Sequence, residues 1–213
     1  MNQPNIDRDW NGRYASGDTP WDSGRPSREM LRVIAEHGIE PCRALELGCG
    51  TGTNAVALAE QGFEVTAVDC APRALETARC KADAAGVSVN WIHADVQSLG
   101  GALHPFDFVF DRGCYHCCRR VDLQGYLNTI DHLTRQGSRV LILAGNANEQ
   151  SEHGPPRVTE EELRSDFGGM MQIVSLREFR FEDPGGSDGP LGWSILLARP
   201  DSAGVGSTGR GGR

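Results

Sequence analysis

Short apolar segments alternate with helix-like segments through the middle of the chain. Strands are predicted at 43–47, 64–68, 87–93, 106–111 and 139–144. Helices are predicted at 53–60, 72–85 and 121–133. Strands that alternate with helices at this spacing are typical of right-handed βαβ units on a parallel sheet. The pattern therefore predicts an α/β chain with a Rossmann-like, doubly wound sheet.

The C-terminal part of the chain has a different pattern. Thr159-Glu-Glu-Glu162 is a capping box that starts a helix ending near Gly168. Segments 171–182 and 192–199 flank a turn rich in glycine and proline, which predicts an antiparallel hairpin at the sheet edge. Residues 200–213 contain five glycines and almost no apolar side chain, so we expect a disordered tail there.

Composition and charge limit the kinds of molecule that the protein is expected to bind. The chain has 213 residues, with 21 basic and 29 acidic side chains and a net charge of −8. An acidic chain disfavours nucleic acid or an anionic membrane as the main partner and favours a small molecule. The sequence contains neither an apolar run of about 18 residues nor a signal peptide, so we expect a cytoplasmic protein. Its seven cysteines are an odd number and are expected to stay reduced.

A glycine-rich turn follows the first predicted strand. It runs Glu46-Leu-Gly48-Cys-Gly50-Thr-Gly52, with the spacing G-x-G-x-G instead of the G-x-G-x-x-G of dinucleotide sites. Glycines allow a ligand to approach the backbone closely. The carboxylate of Glu46 would repel a pyrophosphate but suits a cation. S-adenosylmethionine, which carries a sulfonium, an ammonium and no phosphate, meets this requirement.

Two further carboxylates follow the next strands. Asp69 ends the second strand, seventeen residues after Gly52, where it can accept both hydroxyls of a ribose. Asp95 follows the third strand and can accept an adenine amino group. We expect both to lie at the carboxyl edge of the sheet, where open α/β sheets bind ligands.

Together, the E-x-G-x-G-x-G turn, Asp69 and Ala94-Asp95 resemble the class I S-adenosylmethionine-dependent methyltransferases over residues 28–199. The resemblance implies a seven-stranded sheet with a reversed terminal strand, preceded by an arm at 1–27. The positions expected to contact the cofactor are Trp10, Glu46, Gly48, Cys49, Gly50, Gly52, Asp69, Cys70, Asp95, Val96 and Asp111.

Two further features indicate a more specific family. They are three aromatic residues in the arm and the turn after the fourth strand. Trp10, Tyr14 and Trp21 have the spacing W-x3-[WY]-x6-[FW], and the turn begins with Asp111-Arg112-Gly. Both features are similar to the thiopurine S-methyltransferase family and its tellurite-resistance relatives. That likeness implies that the arm covers the cofactor and that Trp21 and Arg112 lie near the acceptor. Aromatic faces attract a sulfonium, although the arm could instead plug the edge of the sheet.

Departures from that family leave the acceptor open. The glycine turn is the general methyltransferase form, and Cys-Tyr-His-Cys-Cys follows Asp-Arg-Gly. In-line methyl transfer depends mainly on positioning, and a cationic Arg112 or His116 would favour the thiolate of a thiol acceptor. Neutral His116 could instead serve as a base for a hydroxyl, and Tyr14 could hydrogen-bond to the acceptor. Tyr115 is either a substrate contact or a core residue.

We therefore predict a methyltransferase that acts on a small thiol or other soft nucleophile, as a monomer or weak homodimer. The alternatives are a small-molecule O- or N-methyltransferase and a non-catalytic cofactor-binding protein. A nicotinamide oxidoreductase and a nucleic-acid amino-methyltransferase fit the motifs less well. The cysteine-rich run lacks the second ligand pair of a zinc site, so no metal is predicted. The run is interpreted as half-buried thiols, with a metalloid held by Cys114 as the alternative.

Overall fold

The computed structural model describes residues 9–99, 103–151, 154–182 and 188–200. Within the described residues the strands are β1 Arg43–Leu47, β2 Glu64–Asp69, β3 Asn90–His93, β4 Phe106–Arg112, β5 Thr134–Asn146, β6 Arg157–Val158, β7 Gln172–Glu182 and β8 Asp188–Ala198. They form one sheet in the order β3-β2-β1-β4-β5-β8-β7, with the short β6 paired to β5. Strands β1 to β5 are parallel to one another, and β8 is antiparallel to both β5 and β7.

Helices connect these strands, and their ends have identifiable caps. They are α1 Trp10–Ser16, α2 Arg28–Glu36, α3 Thr53–Glu60, α4 Pro72–Ala85, α5 Tyr115–Leu133 and α6 Glu160–Phe167, with a 3₁₀ turn at Val96–Ser98. Pro72 occupies the first turn of α4, and Gly86 ends that helix in the left-handed conformation. Thr159 and Glu162 form the predicted capping box of α6.

The core has two layers, one on each face of the sheet. Alternate residues of a strand point to opposite faces. On β5, Val140 and Ile142 therefore pack into one layer with α5 and α6. Leu141 and Leu143 pack into the other layer with α2 and α3. Central strands buried on both faces leave only their carboxyl ends and the connecting turns for a ligand.

The α/β fold and the C-terminal hairpin are confirmed, while several element boundaries differ from the sequence prediction. Strand β3 begins at Asn90, and β5 extends in both directions beyond the predicted 139–144. Helix α5 begins at Tyr115, although Asp122 interrupts it with φ −148° and ψ 83°. The predicted helix at 121–133 is the part after this break, where the Asp122 side chain accepts a hydrogen bond from Gly125 N.

The described helices include none with the length and apolarity needed to cross a membrane. Residues 201–213, which form nearly all of the predicted tail, lie outside the described residues, as do residues 1–8 of the arm.

Candidate functional site

The glycine turn lies at the carboxyl end of β1 and packs against two other segments. Gly48 and Gly50 have φ of 65° and 53°, in the left-handed region that side chains resist. A Cβ on Gly48 would stand 2.6 Å from the Cβ of Cys114, and one on Gly50 would stand 2.5 Å from the Tyr14 hydroxyl. Glycine therefore lets both the turn after β4 and the N-terminal arm approach the backbone of this loop.

Glu46 is a buried carboxylate with a free oxygen beneath that turn. Its side chain is 1% exposed, and Oε1 accepts a hydrogen bond of 3.2 Å from Asn54 Nδ2. Oε2 has no hydrogen-bond partner among the described residues. Burial raises the pKa of Glu46 to about 8, although Asn54 and the nearby backbone N–H of Ala55 lower it. A buried anionic oxygen without a partner is costly, and the ammonium group of a ligand would satisfy it.

Asp69 braces the same turn from the end of β2. Its Oδ2 accepts a 2.7 Å hydrogen bond from Gly50 N, and its Oδ1 accepts a 2.8 Å bond from Ala71 N. Burial nevertheless raises the pKa of Asp69 above its ordinary value. A carboxylate has about four acceptor positions, so two backbone bonds leave capacity for ligand hydroxyls.

The other predicted cofactor positions surround this edge. Asp95 is exposed, and its Oδ1 accepts a 2.9 Å hydrogen bond from Gln97 N at the start of the 3₁₀ turn. Val96 is 5% exposed and belongs to the core. Cys49 is buried within the glycine turn, while Cys70 is exposed. Asp95 and Cys70 are therefore the most accessible of these four.

The aromatic arm folds into a compact cluster. The rings of Trp10 and Trp21 meet edge to face at 5.5 Å, and those of Tyr14 and Trp21 at 5.9 Å. Trp21 Nε1 donates a 3.0 Å hydrogen bond to the Tyr14 hydroxyl. The Arg13 guanidinium lies 4.2 Å from the centre of the Trp21 ring. The structure thus brings all three predicted aromatic residues together.

Polar contacts connect this cluster to the glycine turn and to α4. Asp22 accepts a 2.7 Å hydrogen bond from Thr51 Oγ1 in the glycine turn. Asn11 Oδ1 accepts a 3.0 Å bond from the backbone of Arg73 in the first turn of α4. The arm is therefore bonded both to the glycine turn and to the start of α4.

Asp111 organises the turn that follows β4. It is fully buried and accepts hydrogen bonds from Cys114 N at 2.9 Å, Tyr115 N at 2.9 Å and the Tyr126 hydroxyl at 2.8 Å. Burial raises the pKa of Asp111 to about 7, although these hydrogen bonds lower it. The carboxylate thus accepts hydrogen bonds from N–H groups at the start of α5 that have no partner within the helix. Its hydrogen-bond partners named here are all groups of the protein.

Arg112 connects the arm to a residue that sequence analysis missed. Arg112 Nη1 donates a 3.0 Å hydrogen bond to the carbonyl oxygen of Trp21, and Nη2 lies 3.4 Å from Glu182 Oε2. Glu182 is 7% exposed and also accepts a 2.8 Å bond from Arg28 N. Because β7 runs parallel to β4, its last residue reaches the same edge of the sheet. The predicted C-terminal hairpin already implied this direction of β7, and it was the one sequence signal that pointed to Glu182.

His116 is held inside the protein. It is 4% exposed, and Nδ1 accepts a 2.9 Å hydrogen bond from Gly145 N. Burial, with smaller contributions from Arg120 and Arg112, lowers the pKa of His116 to about 3. The ring is therefore neutral at pH 7, with its proton on Nε2 and its acceptor nitrogen already engaged.

Tyr115 lies in the core, as the alternative interpretation from the sequence had it. It is fully buried, its ring centre is 5.1 Å from that of Phe167, and its hydroxyl donates a 2.6 Å hydrogen bond to Asp166. The side chain therefore points towards α6, and the structure does not bring it to the arm. This position corrects the expectation that Tyr115 contacts substrate.

Comparison with known proteins agrees with this geometry. Residues 44–137 match the family model described as a methyltransferase domain. The chain is 30% identical over 148 residues to a 2-heptyl-1-hydroxyquinolin-4(1H)-one methyltransferase of Mycobacteroides abscessus, covering 68% of this chain. The match spans 65% of that relative's length.

Solved structures share the fold. One, concerned with the conversion of a disulfide bond into a thioacetal group during echinomycin biosynthesis, is 28% identical with a TM-score of 0.74, covering 85% of each chain. Another is a Burkholderia thailandensis 1,6-didemethyltoxoflavin-N1-methyltransferase with bound S-adenosylhomocysteine, 23% identical with a TM-score of 0.66. That match covers 89% of this chain and 85% of the other.

The strand order, the glycine turn with its buried carboxylate, and these matches agree with one another. Residues 44–137 form an S-adenosylmethionine-dependent methyltransferase domain, and the chain is similar in sequence and in fold to methyltransferases of small molecules.

Proposed function

We propose that this chain transfers the methyl group of S-adenosylmethionine to a small molecule through a soft nucleophile such as a thiol. The observation that carries the proposal is the buried Glu46 oxygen without a partner, placed beneath a glycine turn that an aromatic arm covers. The cofactor supplies a methyl carbon activated by the sulfonium. The protein has to hold that carbon in line with the acceptor and exclude water.

In this proposal each residue at the turn has a distinct part in holding the cofactor. Glu46 accepts the ammonium group, Asp69 accepts the ribose hydroxyls while it braces Gly50, and Asp95 accepts the adenine amino group. The remaining predicted positions shape the groove: Gly48, Gly52, Cys49, Cys70 and Val96 through their backbone, and Trp10 through its ring. Asp111 acts indirectly, because its hydrogen bonds fix the start of α5.

The acceptor is proposed to bind beside Trp21. Arg112 holds the backbone of Trp21 and is itself held by Glu182. A guanidinium at this position stabilises negative charge on an approaching sulfur. The Tyr14 hydroxyl lies over Gly50 and is available to orient the acceptor.

The geometry at His116 favours a thiol over a hydroxyl. A thiol with a pKa near ~8.5 is a few per cent ionised at neutral pH without assistance, whereas a phenol near ~10 depends more on a general base. His116 is a weak base here, since its pKa is about 3 and Nδ1 is occupied. We therefore assign it a positioning role, joining α5 to the end of β5. Sulfur chemistry in the echinomycin-related structure supports the same preference.

A hydroxyl on a heteroaromatic ring is the second candidate acceptor. The Mycobacteroides abscessus relative is named for a 1-hydroxyquinolone, and an N-hydroxyl group is more acidic than an alcohol. Such an acceptor would need less help from a base. Transfer to nitrogen has weaker support, because the structure with an N1-methyltransferase name is below 25% identity.

The test has two stages. Isothermal titration with S-adenosylhomocysteine, with NAD as the control, should give micromolar binding of the first ligand alone. A panel of aromatic thiols, phenols, N-hydroxy heterocycles and carboxylates is then assayed for formation of S-adenosylhomocysteine. Turnover of thiols above the others supports the proposal, whereas preferred turnover of N-hydroxy heterocycles supports the second candidate. Absence of turnover with intact cofactor binding supports a non-catalytic protein. We also propose that the protein is cytoplasmic, that it is a monomer or a weak homodimer, and that it has no nucleic-acid partner.

A further inference from the structure

Two thiols in the first turns of α5 face each other. The Sγ atoms of Cys114 and Cys118 are 3.6 Å apart, and both side chains are half-buried. Residues four apart on a helix share a face, which explains why the two sulfur atoms are in contact. Both residues pack against the core layer beneath α5.

The pair lies beside the cofactor turn. A Cβ on Gly48 would stand 2.9 Å from Cys114 Sγ. The mechanism proposed above uses neither thiol. The hydrogen bond with Cys118, together with burial, raises the pKa of Cys114 well above its ordinary value, so Cys114 is present as a neutral thiol.

The separation of the two sulfurs selects a class of ligand. Bonds from cysteine sulfur to a thiophilic centre such as zinc are about 2.3 Å long. Two such bonds that span 3.6 Å meet at an angle of about 103°. A linear two-coordinate centre would instead need sulfurs about 4.6 Å apart. This angle fits a pyramidal trivalent centre, because the lone pair on such a centre reduces its bond angles to slightly below the tetrahedral value.

The number of ligands points the same way. Across the described parts of the chain, no group of three or more His, Cys, Asp or Glu side chains is arranged to hold a metal ion. A structural zinc ion takes four ligands. A trivalent metalloid that already carries one carbon substituent needs only two more bonds.

We propose that Cys114 and Cys118 form a dithiol site for a monosubstituted trivalent metalloid, represented by an organoarsenic(III) compound. With phenylarsine oxide, two arsenic–sulfur bonds form and the arsenic–oxygen double bond breaks. The two thiol protons leave with that oxygen as one water molecule, and no atom changes oxidation state. This site does not depend on methyl transfer.

The experiment titrates the full-length reduced protein with phenylarsine oxide and follows the adduct by intact mass spectrometry. One phenylarsenic group per chain should bind, survive excess monothiol and be removed by excess dithiol. Chelation typically raises affinity by about 10²–10⁴ over one-point attachment. Cys114→Ser and Cys118→Ser should therefore each weaken binding at least about 100-fold. Cys117→Ser, on the same turn, is the matched control and should bind as the wild type does.

Peptide mapping keeps the test decisive if a variant does not fold. Trypsin releases residues 113–119 as one peptide with all three cysteines of this turn. In the wild type, fragmentation should locate the arsenic bridge between Cys114 and Cys118, leaving Cys117 open to alkylation. An adduct that persists in folded Cys118→Ser, that disappears in Cys117→Ser, or that maps to another pair would overturn the proposal.

Discussion

Replacing Glu46 with glutamine should remove a pH dependence from cofactor binding. In the free protein the pKa of Glu46 is about 8, so about nine-tenths of the molecules carry a neutral Glu46 at pH 7. A ligand ammonium stabilises the ionised form, and binding therefore has to release that proton. Ionising Glu46 costs about 1.4 kcal/mol at pH 7, a cost that falls as the pH rises through 8. The dissociation constant of S-adenosylhomocysteine should accordingly fall about 50-fold between pH 6 and pH 8.

Isothermal titration in two buffers of different ionisation enthalpy measures this directly. At pH 7 the wild type should release close to one proton per ligand, whereas Glu46→Gln should release almost none and lose the dependence on pH. Glu182→Gln is the control, since Glu182 is another buried carboxylate at this edge but is paired with Arg112. Equal proton release by wild type and Glu46→Gln would refute the assignment of the ammonium to Glu46.

Three other substitutions test separate parts of the site. Asp69→Ala should weaken S-adenosylhomocysteine binding by roughly 1.5–3 kcal/mol, the scale of a lost charged hydrogen bond, and unchanged affinity in calorimetry would remove Asp69 from the site. Gly48→Ala places a Cβ 2.6 Å from that of Cys114 at φ 65°, so urea denaturation should show a loss of about 1–3 kcal/mol; an unchanged midpoint would contradict this contact. His116→Ala leaves Gly145 N unpaired and should cost about 1–3 kcal/mol of stability, while the pH profile of kcat keeps its shape; loss of an inflection near neutral pH would instead identify His116 as the base.

Local sequence signals were sufficient for helices whose caps lie next to them in the sequence. Pro72 and Gly86 marked both ends of α4, and Thr159 with Glu162 marked the start of α6. These caps act within one turn of helix, so their effect is visible in neighbouring residues.

Elements that depend on distant contacts were not predictable in the same way. Helix α1 contains Asn11 and Gly12, which are poor helix formers, and Asn11 bonds to the backbone of α4. Helix α5 begins earlier than predicted because Asp111 supplies its cap, while the run after it gives no usual start signal.

The same limit applies to the site. Glu46, Asp69 and Asp95 followed from a turn and strand ends that motif spacing reveals. Glu182 did not: the predicted hairpin gave the direction of its strand, but the contact with Arg112 also depends on the order of strands far apart in sequence. The neutral state of His116 likewise comes from burial and from Gly145, which a local motif does not encode.

The most direct measurement of function uses methyl-labelled S-adenosylmethionine and one aromatic acceptor that carries both a thiol and a hydroxyl group. Because both groups are on the same molecule, they are present at equal concentration, and the product ratio directly compares transfer to sulfur with transfer to oxygen. Mass spectrometry of the product, corrected for the reaction without enzyme, should find the label on sulfur. Label on oxygen, or no enzyme-dependent product while S-adenosylhomocysteine still binds, would contradict the proposed S-methylation.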